Sequence, residues 1–162
     1  MHKTTEAMIA AAAYPEMTIR HHDNGLTKVV AYSFGYLHED GVPAGLAGDS
    51  PEFVVDVRGL FRDPHHDPAF RQLTGRDDAV RARVLDQPGA IEFIGRQTAA
   101  VASLIPAVDR AVQPKLLRIA FGCAGGRHRS VVLAEAVAQL LNGLGIGTEV
   151  IHLHIRRPVV NR

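Results

Sequence analysis

The fold class this sequence predicts is α/β: a mostly parallel or mixed sheet with helices on both faces, preceded by an N-terminal β-hairpin. Three observations predict it. The short apolar runs Phe53–Val57 and Leu116–Phe121 are of the kind that buried parallel strands make, and Thr148–Leu153 is a further strand. Stretches with helical spacing of apolar residues separate them. The resulting order (hairpin, strand, loop, two helices, strand, loop, helix, strand) is that of parallel strands joined by helical crossovers. A chain of 162 residues suits one such domain with a real core.

Taken in order, residues 1–16 read as an N-terminal helical segment, with the apolar patch Met8–Ala13 too brief for the h-region of a signal peptide. Met17–His22 reads as a strand turned by Asp23-Asn24-Gly25, a strong hairpin signal, and Thr27–Phe34 as its β-rich partner. Gly35 ends that strand, and a Gly/Pro-rich loop runs to Pro51. Arg58–Arg76 carries Asp63-Pro64 and Asp67-Pro68 without periodicity and reads as a long loop, a feature that is usually functional in a compact domain. Asp77 or Asp78 caps a short helix reaching about Asp86. Ile91, Ile94, Val101, Leu104 and Ile105 mark a second helix, which Pro106 is expected to bend or end. Ser130–Leu144 is a strongly periodic third helix, closed by Gly143 and Gly145. Residues 17–155 thus form a single domain, and 156–162 a short basic tail.

Composition narrows the function. Hydrophobic residues at 46% and charged residues at 22% describe an ordinary globular chain, and no apolar stretch approaches a membrane span. The lone cysteine, Cys123, excludes an intramolecular disulfide and predicts a reducing, cytoplasmic setting. A formal net charge of +1 argues against coating nucleic acid by bulk charge. Arg supplies 15 of the 18 cationic residues, which suits forked contacts to phosphate.

The chemistry concentrates in Gly122-Cys-Ala-Gly-Gly-Arg-His-Arg-Ser130. A strand, a Gly-rich turn and a helix hold an anion on the unpaired N–H groups of the helix's first turn, where the macrodipole favours negative charge. Gly125 and Gly126 let the backbone approach closely, Arg127 and Arg129 add charge, His128 a titratable donor and Ser130 a hydroxyl. The plain alternative is a tight turn with solvated arginines. A Walker A loop is excluded, because the glycine spacing fails and no Lys follows. The same residues fit C-x5-R-S, the signature of cysteine-dependent phosphatases: a Cys123 thiolate attacks phosphorus, Arg129 grips two oxygens and Ser130 stabilises the departing thiolate. Gly122 stands where those enzymes usually carry His, and Asp63 and Asp67 are the candidate general acids. A buried, inert Cys123 is the reading preferred over a nucleophile.

Ser33-Phe-Gly-Tyr36, Asp56-Val-Arg58, Asp63-Pro-His-His-Asp-Pro68, Leu73-Thr-Gly75 and Gly122–Ser130 occur here in an order that resembles the C-terminal domain of the RapZ family of RNase adapter proteins. The resemblance covers residues 30 to about 153. It implies an α/β domain with a small anion pocket that senses a phosphorylated amino sugar and, in some members, binds regulatory RNA. Carried over by position, Arg58, His65, Thr74, Gly125, Gly126, His128, Arg129 and Ser130 would line or support that pocket. Ala124 stands where the family often has Thr, removing one hydroxyl. The expectation is a stand-alone domain, without the N-terminal P-loop NTPase domain of full-length members. RNA-binding members carry a Lys/Arg-dense tail, whereas this chain offers Arg156, Arg157 and Arg162.

His65 and His66 beside Asp63 and Asp67, or His152 and His154 on one strand face, could suggest a metal, but no third ligand has suitable spacing. His65 reads better as a phosphate donor, His21 and His22 as hairpin surface, and Asp56 as the group that orients Arg58. The function expected is therefore a regulatory or adapter-type binding domain for a phosphorylated small molecule or inorganic anion. No cofactor and no metal are expected. Cysteine-dependent phosphatase and RNA-binding adapter are the alternatives, and homo-oligomerisation is left open.

Overall fold

The computed structural model describes residues 27–38, 42–43, 51–110 and 116–161. The strands are β1 (Val29–Gly35), β2 (Phe53–Asp56), β3 (Leu117–Cys123) and β4 (Thr148–His152). The helices are α1 (Asp78–Leu85), α2 (Ala90–Asp109) and α3 (Arg129–Gly143). All strand pairings are parallel, in the order β2-β3-β1-β4. The predicted α/β class with a parallel sheet is what the chain adopts.

The first hairpin arm, Met17–His22, lies outside the described residues. Its expected partner has become β1, whose two edges are both taken: Val29–Gly35 pairs with Leu117–Cys123 and Val29–Ser33 with Thr148–His152. An apolar run buried along its whole length suits a central strand better than one arm of a hairpin.

The three described helices share one side of the sheet. Ile94, Val101 and Ile105 of α2 and Leu133, Val137 and Leu141 of α3 meet Val29, Ala31, Ile119 and Phe121 in the main core. Val80 and Val84 of α1 pack on Val132 of α3. Handedness explains this placement: the crossovers β2→β3 and β3→β4 both move the same way across the sheet, so right-handed connections fall on one face. On the opposite face Tyr36 and Leu153 pack on Val30, Tyr32, Phe34 and Ala120.

Pro106 neither ends nor visibly breaks α2, which runs on to Asp109. A proline this close to the last turn removes a single ladder hydrogen bond, while Ile105 beside it stays anchored in the core. The long loop contains a 3-10 turn, Pro64–His66, capped by the Asp63 carboxylate, which accepts the His65 N–H. Gly145, at φ 75°, follows α3 in the left-handed conformation that terminates helices.

Candidate functional site

Ligands of parallel α/β sheets bind beyond the carboxyl ends of the strands, and the ends of the neighbouring strands β1 and β3 lie side by side. The loop 122–130 sits there. Gly35 pairs with Cys123 in register, and a Cβ on Gly35 would lie 2.5 Å from Gly125 C and Gly126 N. Gly126, at φ 68°, is equally confined: a Cβ there would lie 2.7 Å from Gly35 N. Close backbone approach therefore fixes the loop against the end of β1. A Cβ at Gly122 would run into the rings of Phe34 and Tyr36, so the His that phosphatases carry at this place has no room.

Arg129 and Arg127 point in different directions. Arg129 is 3% exposed, and its Nη1 lies 3.2 Å from Val57 O and 3.0 Å from Arg58 O, Leu60 O and Phe61 O. Its Nη2 donates to Asp63 Oδ2 at 2.7 Å. The guanidinium thus ties the segment after β2 to the start of α3 from beneath the loop. Arg127 reaches outward, donating from Nη1 to Ile155 O at 3.1 Å and Arg157 O at 2.9 Å, and from Nη2 to Gln72 O at 2.8 Å.

His128 completes the foundation. Its Nε2 lies 3.1 Å from Phe70 O and 2.9 Å from Leu73 O; two carbonyl acceptors assign the proton to Nε2. Its Nδ1 faces Asp63 Oδ1 at 3.8 Å. Gly75 N–H donates to Arg127 O at 2.7 Å, and a Cβ there would meet His128 O at the same distance. The Leu73-Thr-Gly75 segment is thereby bolted under the loop.

A narrow cleft opens above these residues; Asp63, His65, Cys123, Gly125, Arg127, His128, Val159 and Val160 line it. Cys123 is 3% exposed, receives the Gly126 N–H on Sγ at 3.2 Å and has Ser130 Oγ at 3.1 Å. Of the expected pocket residues, His65, Cys123, Gly125, Arg127 and His128 line this opening. Ser130 and Gly126 stand behind Cys123. Ala124 is buried, with its carbonyl accepting the Leu37 N–H.

Arg58 and Thr74 are placed elsewhere. The Arg58 guanidinium is held by Asp56, Nη2 to Oδ2 at 2.6 Å, and stacks 3.9 Å from the Tyr36 ring centroid. That pairing holds the Asp56 carboxyl below the usual carboxylate range. The Thr74 hydroxyl donates to Asp77 Oδ2 and serves the start of α1. Among the described residues, no group of three or more His, Cys, Asp or Glu side chains is disposed to hold a metal.

Five histidine contacts have no counterpart in the sequence patterns. His154, 1% exposed, accepts the Gly35 N–H on Nδ1 at 2.9 Å. His38 lies tilted against it, centroids 5.1 Å apart, with a hydrogen bond to the Gly125 backbone; burial, then the neighbouring His154, pushes His38 below the ordinary histidine range. Their signal was present only as the strand end Phe34-Gly35 and a histidine pair spaced for one face, and β4 in fact ends at His152. His152 belongs to a separate chain: Ser33 Oγ is 2.6 Å from its Nδ1, and its Nε2 is 3.0 Å from Glu135 Oε1. With Glu135 as acceptor, Nε2 carries the proton and Ser33 donates to Nδ1. Ser33 has no exposed surface, so this serine, histidine and glutamate order is a structural tie between β1, β4 and α3.

The tie has a pH signature. Hydrogen bonding from His152, and then from Arg76, holds the Glu135 carboxyl below its ordinary value of 4.5 against the opposing effect of burial. A depressed folded-state pKa stabilises the protein above the unfolded value, and that contribution is lost as pH falls through the native one. Urea unfolding of the wild type should therefore weaken below about pH 4.5. Glu135→Gln should give a flatter profile in that window; an unchanged slope would remove Glu135 from the acid response.

Residues 27–156 match the family model described as RapZ C-terminal domain. The chain belongs to the RapZ C-terminal domain family. A nucleotide-binding protein of Rubrobacter xylanophilus is 42% identical over 133 residues, which is 82% of this chain and 40% of that protein. One from Trichlorobacter lovleyi is 39% identical over 134 residues, 83% of this chain and 43% of the relative. Nucleotide-binding protein SCO1952 of Streptomyces coelicolor is 38% identical over 130 residues, 80% and 40% of the two chains. The matched region thus spans about two-fifths of the length of these curated relatives.

Proposed function

We propose that this RapZ-type domain is a regulatory binding module whose loop 122–130 holds the phosphoryl group of a small molecule. The observation that carries the reading is the Gly-rich turn from β3 into α3, locked against β1 and opening on a cleft beside Arg127, His65 and His128. A phosphorylated amino sugar fits the family, and the names of the relatives make a nucleotide phosphate a second source of the same group. Arg129 acts in this reading as a positioning residue under the loop, and the Arg58–Tyr36 pair as a wall outside it. A reduced, buried Cys123 is in keeping with a cytoplasmic setting. Calorimetry with inorganic phosphate, glucosamine 6-phosphate and unphosphorylated glucosamine tests the reading. Binding of the first two and not the third is expected; equal behaviour of glucosamine and its phosphate would sink it.

One observation favours the phosphatase alternative: Cys123 Sγ receives an amide N–H and has Ser130 Oγ beside it. Two oppose it. Arg129, the arginine of C-x5-R-S, is engaged with carbonyls and Asp63, and Asp63, the candidate acid, is held in that same contact. Wild-type protein should give no turnover of an aryl phosphate. Hydrolysis that disappears in Cys123→Ser would establish the enzyme instead.

An RNA-binding role would draw on few phosphate contacts. With Arg156 and Arg157 exposed on the tail and a formal net charge of +1, the logarithm of RNA affinity should fall at a shallow slope, about −0.7 per contact against log salt for a single strand. A steep slope in filter binding across a salt series would promote the RNA reading above the small-molecule one.

A further inference from the structure

We infer that residues 155–160 form an autoinhibitory strap: they close the mouth of the cleft and hold Arg127 away from any anion that enters it. The inference rests on the anion-site reading for its consequence, but not for its geometry. After β4 the chain turns back through the Arg157 N–H, which donates to His154 O at 3.0 Å. Arg127 then clamps the turn by its bonds to Ile155 O and Arg157 O. The result brings Val159 and Val160 onto the wall of the cleft that Cys123, Gly125 and His128 form.

The arrangement is unfavourable for an anion in two ways. Val159 and Val160 line the cleft and their side chains have nothing to donate. Arg127, the charged side chain of the loop that lines the cleft, gives both terminal nitrogens to neutral carbonyls, while its buried Nε has no hydrogen-bond partner. A phosphate oxygen is a stronger acceptor for a guanidinium than a peptide carbonyl. An incoming anion would therefore compete for the donors that fasten the strap. Opening breaks few bonds, all at one end of the domain, which places it among the low-energy local openings of a fold. Binding and strap release are then linked equilibria, and anything that loosens the strap raises affinity.

Cys123 supplies a readout that needs no ligand. It is the sole cysteine, buried, and lines the cleft behind the valines. In the ligand-free full chain, Val159→Ser combined with Val160→Ser should raise the rate of Cys123 modification by dithiobis(nitrobenzoate) about tenfold, as local opening becomes more populated. Arg157→Pro, which deletes the N–H closing the turn from outside the cleft, should do the same. Urea midpoints close to wild type keep the comparison fair. An unchanged thiol rate in both variants overturns the strap whatever phosphate does. Inorganic phosphate should bind the variants about fivefold tighter than wild type, the linkage expected when a closed state is destabilised. Faster thiol reaction with equal phosphate affinity would show a strap that does not inhibit, and overturns the proposal. Faster thiol reaction with phosphate bound by neither protein would leave the strap standing and overturn the anion reading.

Discussion

Arg129→Ala should lower the unfolding free energy by about 3–5 kcal/mol, the cost of breaking a buried charge pair by removing one partner. The substitution takes the guanidinium from a carboxylate that is itself 8% exposed and strips donors from the carbonyls of Val57, Arg58, Leu60 and Phe61. The segment that presents Asp63 and His65 to the cleft then loses its anchor, so phosphate binding should disappear as well. Arg129→Lys should recover little, because an ammonium cannot span Asp63 and a cluster of carbonyls as the planar fork does. Urea unfolding checks both. A loss below about 1 kcal/mol, typical of a surface ion pair, would mean that Arg129 is not what holds the segment.

The second large effect is expected at Gly35. In Gly35→Ala the new Cβ meets backbone atoms of Gly125 and Gly126, which are neither flexible nor free to retreat, since β1 is fixed between β3 and β4. The loop must move, at a cost of about 3 kcal/mol for overpacking against rigid backbone. Calorimetry should show phosphate affinity falling by at least tenfold, because the amides shift while every charged residue is kept. Gly143→Ala is the matched control. Nothing lies within 4 Å of that Cβ, and alanine is the better helix residue, so stability should hold or rise. Equal losses at the two glycines would show that steric closure of the loop on β1 is not the cause.

Much of this fold could be read from the sequence because its strands and helices are continuous apolar patterns. Phe53–Val57, Leu116–Phe121 and Thr148–Leu153 each fall within about two residues of β2, β3 and β4, and the periodic stretch 130–144 is α3. Local patterns do not report strand order, however. The turn signal at Asp23-Asn24-Gly25 suggested an antiparallel partner for the stretch that became β1, whereas β3 and β4 occupy both of its edges through contacts made far along the chain. The position of Pro106 was legible, but not its proximity to the end of a helix held by core contacts. At the site, the loop itself was evident. The direction of each arginine was not: Arg127 and Arg129 differ by two positions, so one faces the cleft and the other turns beneath it towards Asp63. Side chains brought from distant strand ends, such as His154 on Gly35, leave no signature in sequence spacing at all.

The central place of β1 also has a consequence for how the protein is made. β1 is the first described strand to leave the ribosome, yet both strands that flank it come from the last third of the chain, Leu117–Cys123 and Thr148–His152. Until those residues emerge, a strand destined for complete burial waits with neither edge covered, and every sheet contact it will form is made with residues far along the chain. Chains dominated by such distant pairings fold slowly, and they expose unpaired strand edges that associate with other chains in the interval. Folding should therefore complete only after residues 148–152 have emerged. A nascent chain stalled before residue 117 should be a client of chaperones that hold extended apolar segments.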